Sequence, residues 1–352
     1  MKNESTGRSE KLKAPNHKKR LVGQVPFCPE SAQRQSSGSM LSSVYFRIKK
    51  VKVMKKLIVL AFIGLLAQLI DGSLGMGYGV SSTSLLLTFG IAPAVASASV
   101  HLSEVVTTAV SGASHIKFGN VDKHMVYRLI IPGSIGAFVG ACFLSNLPAE
   151  LAKPYIAVFL FGLGIYVLFR FLFIFKPSKE HDTVKPLTVK QSIPLGLFAG
   201  FCDATGGGGW GPIATPVLLS KKGMTARKAV GTVDTSEFAI AFFGSLGFII
   251  SLGWEAVNWL WVGALIMGGV VAAPIAAWLV RMLPAQLMGV LVGGFIILIN
   301  VRTLLTTWVP VEAHLYMYTG IVVLWFLGIL HTFNKMSTAK KLDRLEQRQR
   351  VS

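Results

Sequence analysis

Two stretches of the chain set an acid beside a glycine cluster inside apolar sequence. The first reads Asp71-Gly72-Ser73-Leu74-Gly75-Met76-Gly77-Tyr78-Gly79. The second, about 130 residues on, reads Asp203-Ala204-Thr205-Gly206-Gly207-Gly208-Gly209-Trp210-Gly211. A second acid follows each across a run of small residues: Glu104 after Asp71, Glu237 after Asp203. His101 and Asp234 stand three residues before these, on the same helix face. No Lys or Arg lies between Leu57 and Ile116, or between Ala229 and Val280. Acids placed so must be protonated, hydrogen-bonded to backbone, hydrated or bound to a cation. One reading is proton coupling, carried by Glu104 and Glu237 with Asp234, and with His101 as relay because imidazole titrates near neutrality. A plainer reading leaves Asp71 and Asp203 as caps of restarted helices.

The glycines permit turns closed to other residues. Unwound backbone at membrane depth must find partners in protein, water or ligand. A helix restarting after such a break aims free N–H groups and its positive end at the break, which suits an anion. The candidate substrate-binding set is therefore Asp71, Ser73, Gly75, Gly77 and Gly79 in one half, with Asp203, Thr205, Gly207, Gly209 and Gly211 in the other. Close helix packing through small residues is the competing explanation. Tyr78 and Trp210 take matching places beside the glycines. Gly206–Gly211 is no phosphate loop, since no Gly-Lys-Ser/Thr follows. No catalytic triad, haem motif or metal-ligand spacing stands out, so neither an enzyme nor a cofactor or metal requirement is expected. Cys28, Cys142 and Cys202 are too few and scattered for a disulfide framework.

The elements that must carry these residues are apolar and long. The 352 residues are 52% hydrophobic and only 14% charged, against about a quarter charged in soluble domains. Runs near 20 residues recur, for example Val126–Leu147, Tyr155–Phe175, Trp259–Leu279, Leu287–Leu305 and Leu315–Thr332, long enough to cross a bilayer. The expected fold is all-α and polytopic, with two homologous, inverted repeats that each open with a glycine-broken re-entrant helix pair. The formal charge of +19 sits at the ends: residues 1–56 hold fourteen Lys and Arg against three acids, and the tail from Lys335 holds six against two. These suit anionic headgroups better than nucleic acid, for which no folded motif is present.

The expected organisation follows. Residues 1–53 form a disordered basic extension, with Met40 or Met54 reading as a natural start. Repeat 1 covers 57–176, a cytoplasmic loop 177–190, repeat 2 191–306, a final transmembrane helix 314–334 and a basic cytoplasmic tail 335–352. Leu147-Pro148-Ala149-Glu150-Leu151 is answered by Leu283-Pro284-Ala285-Gln286-Leu287. With re-entrant pairs, thirteen loop Lys and Arg fall inside and two outside, as the positive-inside rule asks. The scheme leaves Lys55 and Lys56 outside; a full crossing by Leu57–Phe89 would put them inside and break the symmetry.

The glycine segments and the loop His115-Ile116-Lys117-Phe118-Gly119-Asn120-Val121-Asp122 resemble the TauE/SafE-type permeases, known as sulfite exporters, over about residues 57–306. The resemblance implies a multi-pass plasma-membrane permease exporting a sulfur-containing anion, sulfite or an organosulfonate, with protons. Asp71, Asp203, His101 and Asp234 depart from the commoner family pattern. The alternative is a metal or sodium transporter built on the Asp/Glu/His cluster. Expected partners are a small anion and the lipid bilayer, with a homodimer left open and no nucleic acid.

Overall fold

The structure, a computed structural model, describes residues 30–174, 187–221, 223–282, 284–308 and 310–351. The described residues fall into two units, one ending at Lys52 and one beginning at Val53. Of the basic extension, residues 1–29 lie outside the described residues. Residues 30–53, read as disordered from the sequence, belong to helix α1 (Glu30–Leu74); propagation through polar sequence costs less than starting a helix. The greater part of the loop 177–190 also lies outside the described residues.

The second unit is helical, with no strand among the described residues. After α1 come α2 (Tyr78–Thr88), α3 (Pro93–Lys117), α4 (Lys123–Ser145) and α5 (Ala149–Phe169), which ends in a π turn. Then follow α6 (Val189–Gly206), α7 (Trp210–Leu219), α8 (Ala226–Leu252), α9 (Trp259–Leu279), α10 (Ala285–Trp308) and α11 (Val311–Val351). Starts are set by local chemistry: Asp122 accepts from Met125 N at 3.2 Å, Thr225 from Lys228 N at 3.3 Å, and Asn258 from Trp261 N at 3.3 Å. Pro93 opens α3, where a missing N–H costs nothing.

Seven described helices or helix parts are long and apolar enough to cross a membrane, among them Val53–Leu74, Lys123–Ser145, Ala149–Ile174 and Val311–Thr338. Their faces are turned as lipid requires. On α4, Tyr127, Ile131, Ile135, Val139 and Phe143 recur every four residues and are exposed. The opposite face buries Gly133, Gly136, Ala137, Gly140 and Ala141. Large apolar groups outside and small ones inside is the membrane pattern, because lipid supplies no hydrophobic force between helices and close backbone packing must do so. A Cβ at Gly200 of α6 would sit 2.1 Å from Gly133 O of α4, and one at Gly268 of α9 1.8 Å from Ala61 O of α1. Neither position admits a side chain.

At the centre α3 crosses α8, flanked by α9 on α3 and α4 on α8. α3 has 25 residues yet is not among the seven apolar spans. Its buried face carries Ser97, Ser99, His101, Ser103, Glu104, Thr107, Thr108, Ser111 and His115. It is the polar spine on which the site is built.

Candidate functional site

The two glycine segments are breaks between consecutive helices, and they meet. α1 stops at Leu74 and α2 starts at Tyr78; α6 stops at Gly206 and α7 starts at Trp210. Gly75 and Gly207 have φ of 66° and 70°, a left-handed conformation that glycine takes without Cβ strain. Across the contact a Cβ at Gly79 would lie 2.7 Å from Gly208 Cα, and one at Gly211 2.5 Å from Gly75 O. Thr83 Oγ1 donates to Gly207 O at 2.7 Å, and Thr215 Oγ1 donates to Gly75 O at 2.6 Å. Each half thus satisfies a carbonyl that the other half's break leaves without a helical partner. Tyr78 and Trp210 are fully buried; the Tyr78 hydroxyl meets Ser103 Oγ at 3.0 Å and Trp210 Nε1 donates to Val233 O at 3.2 Å.

The break acids cap the helices that restart. Asp203 Oδ1 accepts from Gly209 N at 2.7 Å and Trp210 N at 2.9 Å. Asp71 Oδ1 accepts from Tyr78 N at 3.4 Å. The plain capping explanation therefore accounts for one oxygen of each acid, and the second oxygens face elsewhere.

The acids fall into two groups that exchange halves. His101 and Glu104 of α3 gather with Asp203 of α6; Asp234 and Glu237 of α8 gather with Asp71 of α1. Within each group one ligand atom per residue lies within 4.8 Å of the others, and all six residues are buried. His101 Nε2 stands 3.1 Å from Asp203 Oδ2, and Nδ1 lies 2.9 Å from Ser97 O. A carbonyl only accepts, so Nδ1 carries a hydrogen. One further proton then lies between Nε2 and Asp203 Oδ2, as imidazolium–carboxylate or as neutral imidazole and acid. Glu104 Oε2 is 4.0 Å from His101 Nδ1. Its Oε1 lies 3.0 Å from where a Cβ on Gly79 would be, so it reaches the first turn of α2. Neither Glu104 oxygen has a hydrogen-bond partner, nor do Asp71 Oδ2, either oxygen of Asp234, or Glu237 Oε2.

Ser73 and Thr205, expected in the substrate set, donate instead to their own helices: Ser73 Oγ to Leu69 O at 2.6 Å and Thr205 Oγ1 to Phe201 O at 2.7 Å. The hydroxyls that bridge the breaks are Thr83 and Thr215, four residues past the last glycine of each motif. Sequence reading also passed over His115 as a site residue. Its Nε2 lies 3.0 Å from Gly72 O and 3.8 Å from Asp234 Oδ2, and its Nδ1 3.1 Å from Asn120 Nδ2. A second histidine in the base-free stretch that bears Asp71 and Glu104 was the signal available.

Residues 60–303 match the family "Sulfite exporter TauE/SafE". Among similar proteins is "Probable membrane transporter protein YtnM" of Bacillus subtilis (strain 168), 68% identical over 284 residues, 80% of this chain and 94% of that protein. "Probable membrane transporter protein YdhB" of the same organism is 30% identical over 196 residues, 55% of this chain and 77% of its own. A "Probable membrane transporter protein" of Haemophilus influenzae (strain ATCC 51907 / DSM 11121 / KW20 / Rd) is 26% identical over 200 residues, 54% of this chain and 73% of its own. No solved structure matches. Polytopic helices with lipid-facing apolar surfaces, two facing glycine breaks and this match over more than half its length place the chain in the TauE/SafE sulfite exporter family of membrane transporters.

Proposed function

We propose that the protein is a plasma-membrane permease that exports a small sulfur-containing anion, sulfite or an organosulfonate, together with protons. The halves 57–176 and 191–306 are read as inverted repeats around one central site, with the tail 335–352 in the cytoplasm. Contacts come in matching pairs, which supports the repeat: α2 on α3 and α7 on α8, α4 on α8 and α9 on α3, α6 on α4 through Gly200 and α1 on α9 through Gly268.

The observation that carries the reading is the meeting of two half-helix starts, α2 and α7, bridged by Thr83 and Thr215. Such ends attract anions. The protein already places carboxylates there, so a substrate anion and an ionised Asp203 compete for the amides of Gly209 and Trp210. Glu104, aimed at Gly79, and Glu237 carry the protons, and their neutralisation removes the negative charge that opposes an anion at the breaks. On this scheme the anion binds the proton-loaded state, and the two travel together.

Purified protein in liposomes with an imposed pH gradient should move labelled sulfite or sulfoacetate, and Glu104→Gln with Glu237→Gln should abolish the pH dependence. Uptake of metal cations with no anion flux would replace this reading by the second one, a cation transporter. The two buried groups of acids with no Lys or Arg among them support that alternative. For topology, Gly90→Cys and Lys221→Cys should label from opposite faces; labelling from one face sinks the inversion. Lys55→Cys should label from outside if the first pair is re-entrant.

A further inference from the structure

The two groups of acids are built alike but neutralised differently, and the difference locates a second ligand. We propose that Asp71, Asp234 and Glu237, with Ser111, form a binding site for a small hard metal cation, sodium or a divalent ion, distinct from the anion position at the breaks. The proposal rests on the transporter reading for the cation's role in coupling; binding itself is independent of it.

The group on α3 contains its own base. His101 lies against Asp203 and near Glu104, so an internal imidazolium can balance one carboxylate. The group on α8 has three carboxylates. The nearest base is His115, and its hydrogens are committed. Asn120 Nδ2 faces Ala277 O at 3.1 Å, which fixes that amide's orientation, because the reverse would set two oxygens together. The same amide then donates to His115 Nδ1, so Nδ1 holds no hydrogen and Nε2–H donates to Gly72 O. His115 is thereby the neutral tautomer. Asp234, 3.8 Å away, receives no hydrogen bond from it.

The positions meet what a hard cation needs. An oxygen of each carboxylate lies within 4.8 Å of the other two, and a hard ion with about 2.4 Å to each oxygen fits that span. Asp71 Oδ2, both Asp234 oxygens and Glu237 Oε2 are unpartnered. One neutral polar side chain, Ser111, is fully buried and its Oγ has no hydrogen-bond partner. Ser111 stands beside Asp234, and its Oγ lies 3.2 Å from where a Cβ on Gly72, next to Asp71, would be. All donors are oxygen, the preference of sodium, magnesium, calcium and manganese over soft ions. The charged and titratable groups facing the site are Asp71 from α1, His115 from α3, and Asp234 and Glu237 from α8, with Glu104 and Asp203 beyond them.

The test uses the full chain in lipid nanodiscs. Sodium, magnesium, calcium or manganese chloride is added against choline chloride at matched ionic strength. Tryptophan fluorescence follows thermal unfolding, and a pH dye in weak buffer follows proton release. At least one cation should raise the midpoint by about 3 °C or more and release protons. Which ion acts separates sodium from divalent coupling. His101→Gln should keep the response, while Asp234→Asn, Glu237→Gln and the milder Ser111→Ala should lose or weaken it. Silence of every cation in both readouts on the unaltered protein overturns the proposal. So does a response that survives Asp234→Asn and Glu237→Gln but disappears in His101→Gln. Neither readout uses sulfite, so failure of anion flux and failure of cation binding are separate results.

Discussion

The breaks at Asp71 and Asp203 share a motif and a geometry, yet one acid is saturated and the other is not. Asp203 receives two short amide bonds and faces His101 at 3.1 Å. Asp71 receives one amide at 3.4 Å, and its second oxygen has no partner. The backbone of the two breaks is nearly interchangeable, down to the exchange of Thr83 and Thr215 with opposite carbonyls. The carboxylate environments are not. Two breaks of one geometry thus carry different chemistry: one is held by internal bonds and the other carries unmet demand.

That contrast can be broken at several points. The largest effect is expected where both breaks depend on one contact. A Cβ at Gly208, whose φ is 151°, would fall 2.0 Å from Val80 N. Gly208→Leu should therefore cost roughly 3 kcal/mol or more and abolish monodisperse protein in detergent; normal yield would mean that the breaks do not touch. Next comes the acid comparison. Asp203→Ala strips Gly209 N and Trp210 N of their acceptor and His101 Nε2 of its partner, at about 3–5 kcal/mol, whereas Asp71→Ala strips one weak bond, at about 1–2 kcal/mol. Thermal unfolding in micelles measures both, and equal losses would erase the asymmetry.

Thr83→Val and Thr215→Val should cost about 1 kcal/mol each. A large inequality between them would show that the scaffold has diverged as well. Ser73→Ala and Thr205→Ala should stay within roughly 0.5 kcal/mol of the parent, because each hydroxyl bonds only its own helix. A larger loss at either would mark it as part of the break after all.

The helices and the breaks were readable because apolar length and glycine clusters leave local marks. Val126–Leu147 and Trp259–Leu279 correspond closely to α4 and α9, and the interruptions at Gly75 and Gly207 fall where the motifs place them. The assortment of the acids was hidden. Chain proximity suggests Asp71 with Glu104 and Asp203 with Glu237, but the crossing of α3 and α8 pairs each break acid with the other half. No local spacing encodes a partner supplied from more than a hundred residues away. The direction taken by Ser73 and Thr205 was hidden for a related reason: a hydroxyl near a break reads the same whether it turns to its own helix or across. Thr83 and Thr215 were visible as hydroxyls near the glycines but had no spacing signal to distinguish them.

The polarity of α3 has a further consequence, for how the chain enters the bilayer. A helix centre bearing His101, Glu104 and a ladder of serines and threonines is poorly recognised by the insertion machinery, where one central charged side chain costs about 2.5–3.5 kcal/mol. Its most intimate neighbours, α8 and α9, are synthesised more than a hundred residues later. Burial of that polar face is therefore complete only once those partners have emerged. Variants in α8 would then be expected to change the orientation of α3 during synthesis, before any transport step begins.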